Sequence, residues 1–334
     1  MPAAEFATSG HTFPPTQPGT PVMLNIRKIL FPTDFSETSA QALAYALRLA
    51  HEYDAELHLL HVEVLYEEDP HNPTHRLPDR EAILARLRTL IDDHDAAEHL
   101  PDGAVEDLTI RHVHRRNVSA APAIVEYAAE EGINLIVLGT HGRRGLRRLL
   151  LGSVAEEVVR TAPCPVFTVR RHKEDRKPEP VRHILVPVDF SEHAREALTV
   201  ARELAARYGA ALQLLHVLEE VLHPAFYNFG ATSIKDLQPD IEEKATEALM
   251  KFFRETAGAD AEVTYHVIEG HAGRDIATFA EEHDSDLIVI STHGLGGLEH
   301  LLMGSVTEKV IRRAPCPVLV LKAFQRSIVA SGEG

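Results

Sequence analysis

The residues best suited to chemistry lie in two short segments, each present twice. One reads Pro32-Thr33-Asp34-Phe35-Ser36, with a second copy Pro187-Val188-Asp189-Phe190-Ser191. The other reads Gly139-Thr140-His141-Gly142, nine residues, then Gly152-Ser153-Val154. Its copy reads Ser291-Thr292-His293-Gly294, nine residues, then Gly304-Ser305-Val306. Glycine lets a backbone approach a ligand closely and present bare N–H groups. A serine that opens a helix adds the helix N-terminus, which favours anions. The pattern points to phosphate held by main-chain donors, with Asp34 accepting hydrogen bonds from a base or ribose. Blander roles compete with this reading. Ser153 with Glu156, and Ser305 with Glu308, fit capping boxes, and Ser36 and Ser191 fit N-caps. Neither role accounts for Gly139 and Gly142. His141 and His293 either touch phosphate or hydrogen-bond locally.

Alternating apolar patterns place these segments. The first half shows strands at Ile29–Thr33, Leu57–Val62, Val105–Val113, Leu135–Leu138 and Val166–Val169. Helical spacing falls between them, at Ala42 to Ala50, at Ile83 to Ile91, and over Ala120–Glu131 and Ser153–Thr161. The second half repeats the first: RKILFPTDFSETSAQALAYALRLAHEYDAELHLLHV from Arg27 parallels RHILVPVDFSEHAREALTVARELAARYGAALQLLHV from Arg182. This is one domain duplicated. Strands alternating with helices imply an α/β fold whose parallel sheet is covered on both faces. Ligands of such sheets bind at the carboxyl ends of the strands, where both segments fall. Val318–Leu321 would be an aggregation hazard if left bare, so it should pair with its counterpart Val166–Val169 or with another chain.

The 334 residues carry 34 Lys+Arg against 50 Asp+Glu, a net charge of −16. Such a surface argues against nucleic acid or an anionic membrane as partner. Two cysteines, Cys164 and Cys316, are too few for a disulfide scaffold and read as buried thiols. No signal peptide or membrane span is evident, so a cytoplasmic protein is expected. Pairs such as His58/His61, His71/His75 and His112/His114 lack the spacing of a closed zinc site, so no protein-held metal is expected. The expected organisation is a disordered tail 1–22, domain 23–171, linker 172–181, domain 182–323 and a flexible tail 324–334.

No G-x-x-x-x-G-K-[ST] and no early G-x-G-x-x-G occurs, which removes the P-loop and dinucleotide fingerprints. G-x2-G-x9-G-[ST] at Gly139, Gly142, Gly152 and Ser153, with the early Asp34 and the His61-Val62 strand end, instead resembles the universal stress protein family. The resemblance covers nearly the whole chain and implies two tandem flavodoxin-like, Rossmann-like domains. Each would be a five-stranded parallel sheet of order 3-2-1-4-5 flanked by helices. It implies that Asp34 and Val62 meet the adenine side of ATP, with Pro32 and Thr33 also binding the nucleotide. Gly139, His141, Gly142, Arg143, Gly152, Ser153 and Val154 would meet ribose and phosphates. The matching positions of the second half are Pro187, Val188, Asp189, Val217, His293, Gly294, Gly304, Ser305 and Val306. Ser291 departs from the pattern and should crowd the ligand. Arg143, Arg144, Arg147 and Arg148 can offset triphosphate charge, whereas Leu295 to His300 contain no Arg or Lys. The first half is therefore expected to bind ATP more tightly, with Mg²⁺ arriving alongside it. Pairing of the last strands would make an internal pseudo-dimer, and a homodimer through edge strands is the further expectation. The expected role is nucleotide sensing or stress response, with at most weak ATPase activity. The alternatives are a vestigial pocket serving another ligand or a protein partner, and a slow ATPase.

Overall fold

The computed structural model describes residues 25–65, 79–140, 151–170, 178–219, 238–258, 261–292 and 303–322. Both expected tails, part of the linker, and the positions His71, His75, His141–Arg148 and His293–His300 lie outside the described residues.

The first half runs β1 (Lys28–Pro32), α1 (Glu37–Tyr53), β2 (Glu56–Val64), α2 (Arg80–Asp93) and β3 (Ile110–Asn117), then α3 (Ala120–Glu131), β4 (Leu135–Gly139), α4 (Ser153–Thr161) and β5 (Val166–Val169). The second runs β6 (His183–Pro187), α5 (Glu192–Tyr208), β7 (Ala211–Glu219), α6 (Ile241–Ala257) and β8 (Val263–Gly270), then α7 (Ala272–Glu282), β9 (Leu287–Ser291), α8 (Ser305–Arg313) and β10 (Val318–Leu321). Local chemistry sets the helix ends. Ser36 and Ser191 cap α1 and α5 by accepting from Ser39 N and Ala194 N. Gly132 and Gly209 stop α3 and α5 with φ of 66° and 64°, a region that suits a residue without Cβ.

The strand order is β3-β2-β1-β4-β5-β10-β9-β6-β7-β8, so each half has the order 3-2-1-4-5. The halves do not remain separate sheets. β10 pairs antiparallel with β5, Val318 opposite Thr168 and Val320 opposite Val166, and among the described residues this joins the halves into one ten-stranded sheet. The strand that needed a partner finds it within the chain. All other recorded pairings are parallel. Two apolar layers, one on each face, both run through the two halves. Ile29, Leu47, Leu57, Val137, Val186, Leu198 and Val289 belong to one, and Leu30, Leu60, Ile136, Val158, Leu185, Ile288 and Val310 to the other.

The third strand is displaced from the expected Val105–Val113. Val105 and Leu108 do pack on the core, but from turns closed by Ala104 N to Pro101 O and Leu108 N to Val105 O. The strand itself is the polar stretch Ile110–Asn117, an outer strand in which no residue is fully buried.

Candidate functional site

β1 and β4 are direct neighbours, with Ile29 opposite Leu135 and Leu30 opposite Ile136. Their carboxyl ends therefore lie side by side, and so do the corresponding ends of β6 and β9. After β1 the chain makes a tight turn. Asp34 Oδ1 accepts Ser36 N at 3.0 Å, and Asp189 Oδ1 accepts Ser191 N at 3.0 Å and Ser191 Oγ at 2.6 Å. Each aspartate thus holds its own turn. Phe35 and Phe190 adopt φ of 60° and 64°, a strained region for a bulky side chain. Strain of this kind persists only where the surroundings enforce it. Phe35 N donates to Thr33 Oγ1, its ring lies 4.7 Å from the His61 ring, and the Arg86 guanidinium sits 4.0 Å above it. Phe190 rests on His216 at 4.6 Å and edge-on to Phe252. His61 Nδ1 pairs with Thr33 O at 2.8 Å, and His216 Nδ1 with Val188 O at 2.7 Å. These histidines brace the turn from the next strand.

The glycine loop is tied at its base in the same way twice. Thr140 N donates to Val169 O and Gly152 N to Thr140 O. Thr292 N donates to Leu321 O and Gly304 N to Thr292 O. The N-terminus of α4 is thereby held against the end of β4, and that of α8 against the end of β9. The N-caps are Gly152 and Gly304. The expected capping boxes are therefore not formed, because Ser153 and Ser305 stand one position inside the helix. Both serines are exposed, as is Val154 at 41%. A Cβ on Gly304 would stand 3.0 Å from Thr292 O, so the close return itself favours glycine there.

Gly139 has a packing reason as well. A Cβ there would stand 2.9 Å from Thr38 O and 3.0 Å from Thr38 Cγ2, in the first turn of α1. That contact places the glycine segment against the helix four residues from Asp34. Neither Gly139 nor Ser291 has positive φ. Ser291 closes β9 as a buried residue. Ser291 O also accepts the buried Thr307 Oγ1 at 2.7 Å, a tie that helps hold α8.

Pro32, Asp34, Pro187, Asp189, Gly139, Gly152 and Gly304 are half-buried, whereas Thr33 and Val188 are buried. Val62, Val217 and Val306 are partly buried and pack on the layer containing Leu30, Leu60 and Val158. His141, Gly142, Arg143, His293 and Gly294 lie outside the described residues.

The sequence reading missed a buried polar cluster beside the first turn. Glu63 Oε2 binds His114 Nε2 at 3.1 Å and Arg116 Nε at 2.7 Å. His114 stacks on His61 at 6.3 Å. The signal was available as alternation across paired strands, since Glu63 faces Arg116 and His61 faces His114 in register. His58 points to the other face of the sheet, where Nδ1 pairs with Tyr127 Oη at 2.8 Å. Burial pushes its pKa down and raises that of Tyr127 to about 12. Among the described residues no group of three or more His, Cys, Asp or Glu side chains is arranged to hold a metal, and no helix is long and apolar enough to cross a membrane. Cys164 and Cys316 are buried, and burial pushes the Cys316 thiol well above its usual pKa.

The universal stress protein family model matches residues 25–170 and 180–322. A universal stress protein of Methanocaldococcus jannaschii is 34% identical over 151 residues, 45% of this chain and 85% of its own length. One of Mycobacterium tuberculosis is 32% identical over 205 residues, 60% of this chain and 65% of its own. One of Mycolicibacterium smegmatis is 25% identical over 312 residues, 88% of this chain and 96% of its own. Among solved structures, a universal stress protein from Archaeoglobus fulgidus aligns with a TM-score of 0.58 at 24% identity, over 88% of this chain and 98% of its own, a likeness of fold. With the family matched once in each half, the chain belongs to the universal stress protein family.

Proposed function

We propose that each half binds an adenine nucleotide, ATP, in the angle between the turn after its first strand and the N-terminus of its fourth helix. The observation that carries this reading is the hydrogen bond from Gly152 N to Thr140 O, repeated from Gly304 N to Thr292 O. It fixes a helix N-terminus with an exposed serine at the carboxyl edge of the sheet, in both halves. Helix N-termini offer unpaired N–H groups and a positive dipole end, which suit phosphate. The exposed Val154 offers an apolar contact beside Ser153.

The first half is the tighter site in this reading. Support comes from Arg143, Arg144, Arg147 and Arg148 in the sequence, where the second copy has no Arg or Lys. The function is binding and response to nucleotide level, as in a stress-response protein, rather than dedicated turnover. Mg²⁺ would accompany the triphosphate and supply charge neutralisation there.

Calorimetric titration with ATP tests this. The wild type should bind, and Ser153→Glu, which sets a carboxylate where phosphate would sit, should remove the tighter event. Ser305→Glu should remove the weaker one. Absence of binding to the wild type, together with no adenine nucleotide in the mass spectrum of the denatured protein, would leave the pocket to another ligand or to a protein partner. Phosphate release that Ser153→Glu abolishes would add slow hydrolysis.

A further inference from the structure

The antiparallel joint between the halves does more than satisfy two strand edges. Each fourth helix leads directly into a last strand through Ala-Pro-Cys-Pro: α4 ends at Thr161 and β5 begins at Val166, while α8 ends at Arg313 and β10 begins at Val318. Because β5 and β10 run antiparallel, the end of each lies beside the start of the other. The residue after each strand therefore emerges under the C-terminus of the other half's helix. Those residues are Arg170 and Lys322, which occupy equivalent positions of the repeat, and both are basic.

Both make the contact their position allows. Lys322 Nζ donates to Arg160 O, and to Ala162 O at 3.2 Å, the terminal carbonyls of α4. Arg170 Nη1 donates to Arg313 O at 2.8 Å, the last residue of α8. The final carbonyls of a helix lack intrahelical partners and carry its negative dipole end, so a cation there both satisfies and attracts them. Each strand end is also tied to its own half. Val169 O, next to Arg170, accepts Thr140 N at the base of the first glycine loop, and Leu321 O, next to Lys322, accepts Thr292 N at the base of the second.

We propose that Arg170 and Lys322 are positioning residues that act crosswise, each anchoring the helix whose other end forms the phosphate site of the opposite half. This inference rests on the nucleotide reading above for its consequence, but not for the anchoring itself. The chain of contacts is short. A glycine-loop base in one half is bonded to the residue preceding a cation, and that cation holds the phosphate-facing helix of the other half. The two sites then constrain each other, and coupling of this kind is reciprocal.

The test uses the full chain. With Ser305→Glu leaving only the first site, Lys322→Met should weaken ATP binding by about threefold to tenfold, within what a helix-terminal cation in a partly buried setting supplies. Arg170→Met in that background should stay within about twofold. With Ser153→Glu leaving only the second site, the two substitutions should exchange effects. Lys322→Arg should restore the first site, which separates a cation's role from loss of packing. Amide exchange in the nucleotide-free protein reads the anchoring directly: Lys322→Met should speed exchange at Val159–Ala162 and spare Ile311–Ala314, with Arg170→Met doing the converse. If no variant or wild type binds ATP, the nucleotide reading fails and exchange alone decides the anchoring. Equal weakening of both sites, an unchanged first site in Lys322→Met, or exchange rates indifferent to either substitution would overturn the proposal.

Discussion

The two halves carry the same carboxyl edge and different side chains beneath it. Phe35 and Phe190 share the left-handed backbone, His61 and His216 brace the same carbonyl, and Thr140–Gly152 is matched by Thr292–Gly304. Away from that edge the partners change. His58 with Tyr127 becomes Gln213 with Ser285, which bond at 2.6 Å. Glu63 with His114 and Arg116 becomes Leu218 with Val267 and Glu269 in the same register. Gly139 against Thr38 becomes Ser291. What the duplicates share is backbone path and hydrogen-bond closure at the strand ends. What they do not share is the way buried polar groups are satisfied. A site made of main-chain donors can persist while its supporting core is rewritten.

The largest expected asymmetry is steric. Gly139→Val would drive a branched side chain into Thr38 O, 2.9 Å from the position of its Cβ, and α1 would have to move. We expect a loss of about 3 kcal/mol or more in denaturant unfolding, in the upper range for overpacking. Ser291→Gly removes a side chain the second half already accommodates and should cost no more than about 1 kcal/mol. Equal costs at the two positions would mean that the opening turns of α1 and α5 approach their strands alike.

Protonation should separate the halves next. Burial holds the pKa values of His58, His112 and His114 below the usual imidazole range in the first half, and that of His266 in the second. Glu56 opposes the shift at His58 and Glu63 opposes it at His114, while Arg88 adds to it at His112. The unfolded chain takes up protons near pH 6.5 that these folded side chains refuse. Their stabilising contribution is therefore present above about pH 6.5 and is lost as the pH falls below it, by up to about 1.4 kcal/mol per pH unit for each proton withheld. Amide protection factors of β2 and β3 should fall further between pH 7.5 and 5.5 than those of β7 and β8. Parallel losses would remove histidine burial as a distinction between the halves.

The sequence revealed most where one periodicity ruled. Ser153–Thr161 and Val166–Val169 fall where the apolar spacing put them, because α4 is amphipathic and β5 is buried on both sides. It misled where apolar residues served a loop: Val105 and Leu108 pack on the core from turns, and the true strand looks polar because it lies at the sheet's margin. The serines of the glycine loop were legible as residues but not in position, since only hydrogen-bond geometry shows that Gly152 and Gly304 are the caps. The anchoring by Arg170 and Lys322 could not be read at all. It depends on the direction of pairing between two strands 152 residues apart in the repeat, Val166 and Val318 being their first residues.

A smaller effect would show whether the buried cluster is an integral unit or an exchangeable one. Glu63→Leu, which imports the residue type of the second half, leaves His114 Nε2 and Arg116 Nε without their carboxylate. We expect a loss of about 1–2 kcal/mol, the cost of a buried group losing its partner. Adding His114→Val, the second half's other choice, should recover most of it. Additive losses in this double-mutant cycle would show that the two halves are not interchangeable at this point.

The smallest expected difference is the one the comparison needs to be near zero. Ser36 and Ser191 cap their helices with nearly the same backbone, φ −82° and ψ 161° against φ −74° and ψ 162°. Their side chains accept Ser39 N at 3.3 Å and Ala194 N at 3.1 Å. Replacing either by alanine should cost about 1 kcal/mol, the usual worth of such a cap. Ser191 also donates to Asp189 Oδ1, so its loss should exceed the other by about 0.5 kcal/mol, the low end for a partly buried hydrogen bond. Thermal unfolding of Ser36→Ala and Ser191→Ala measures both. A gap well above that would mean that turns alike in geometry differ in energy. The shared carboxyl edge would then be a likeness of shape without a likeness of stability, and the nucleotide reading of the second half would lose the support it draws from the first.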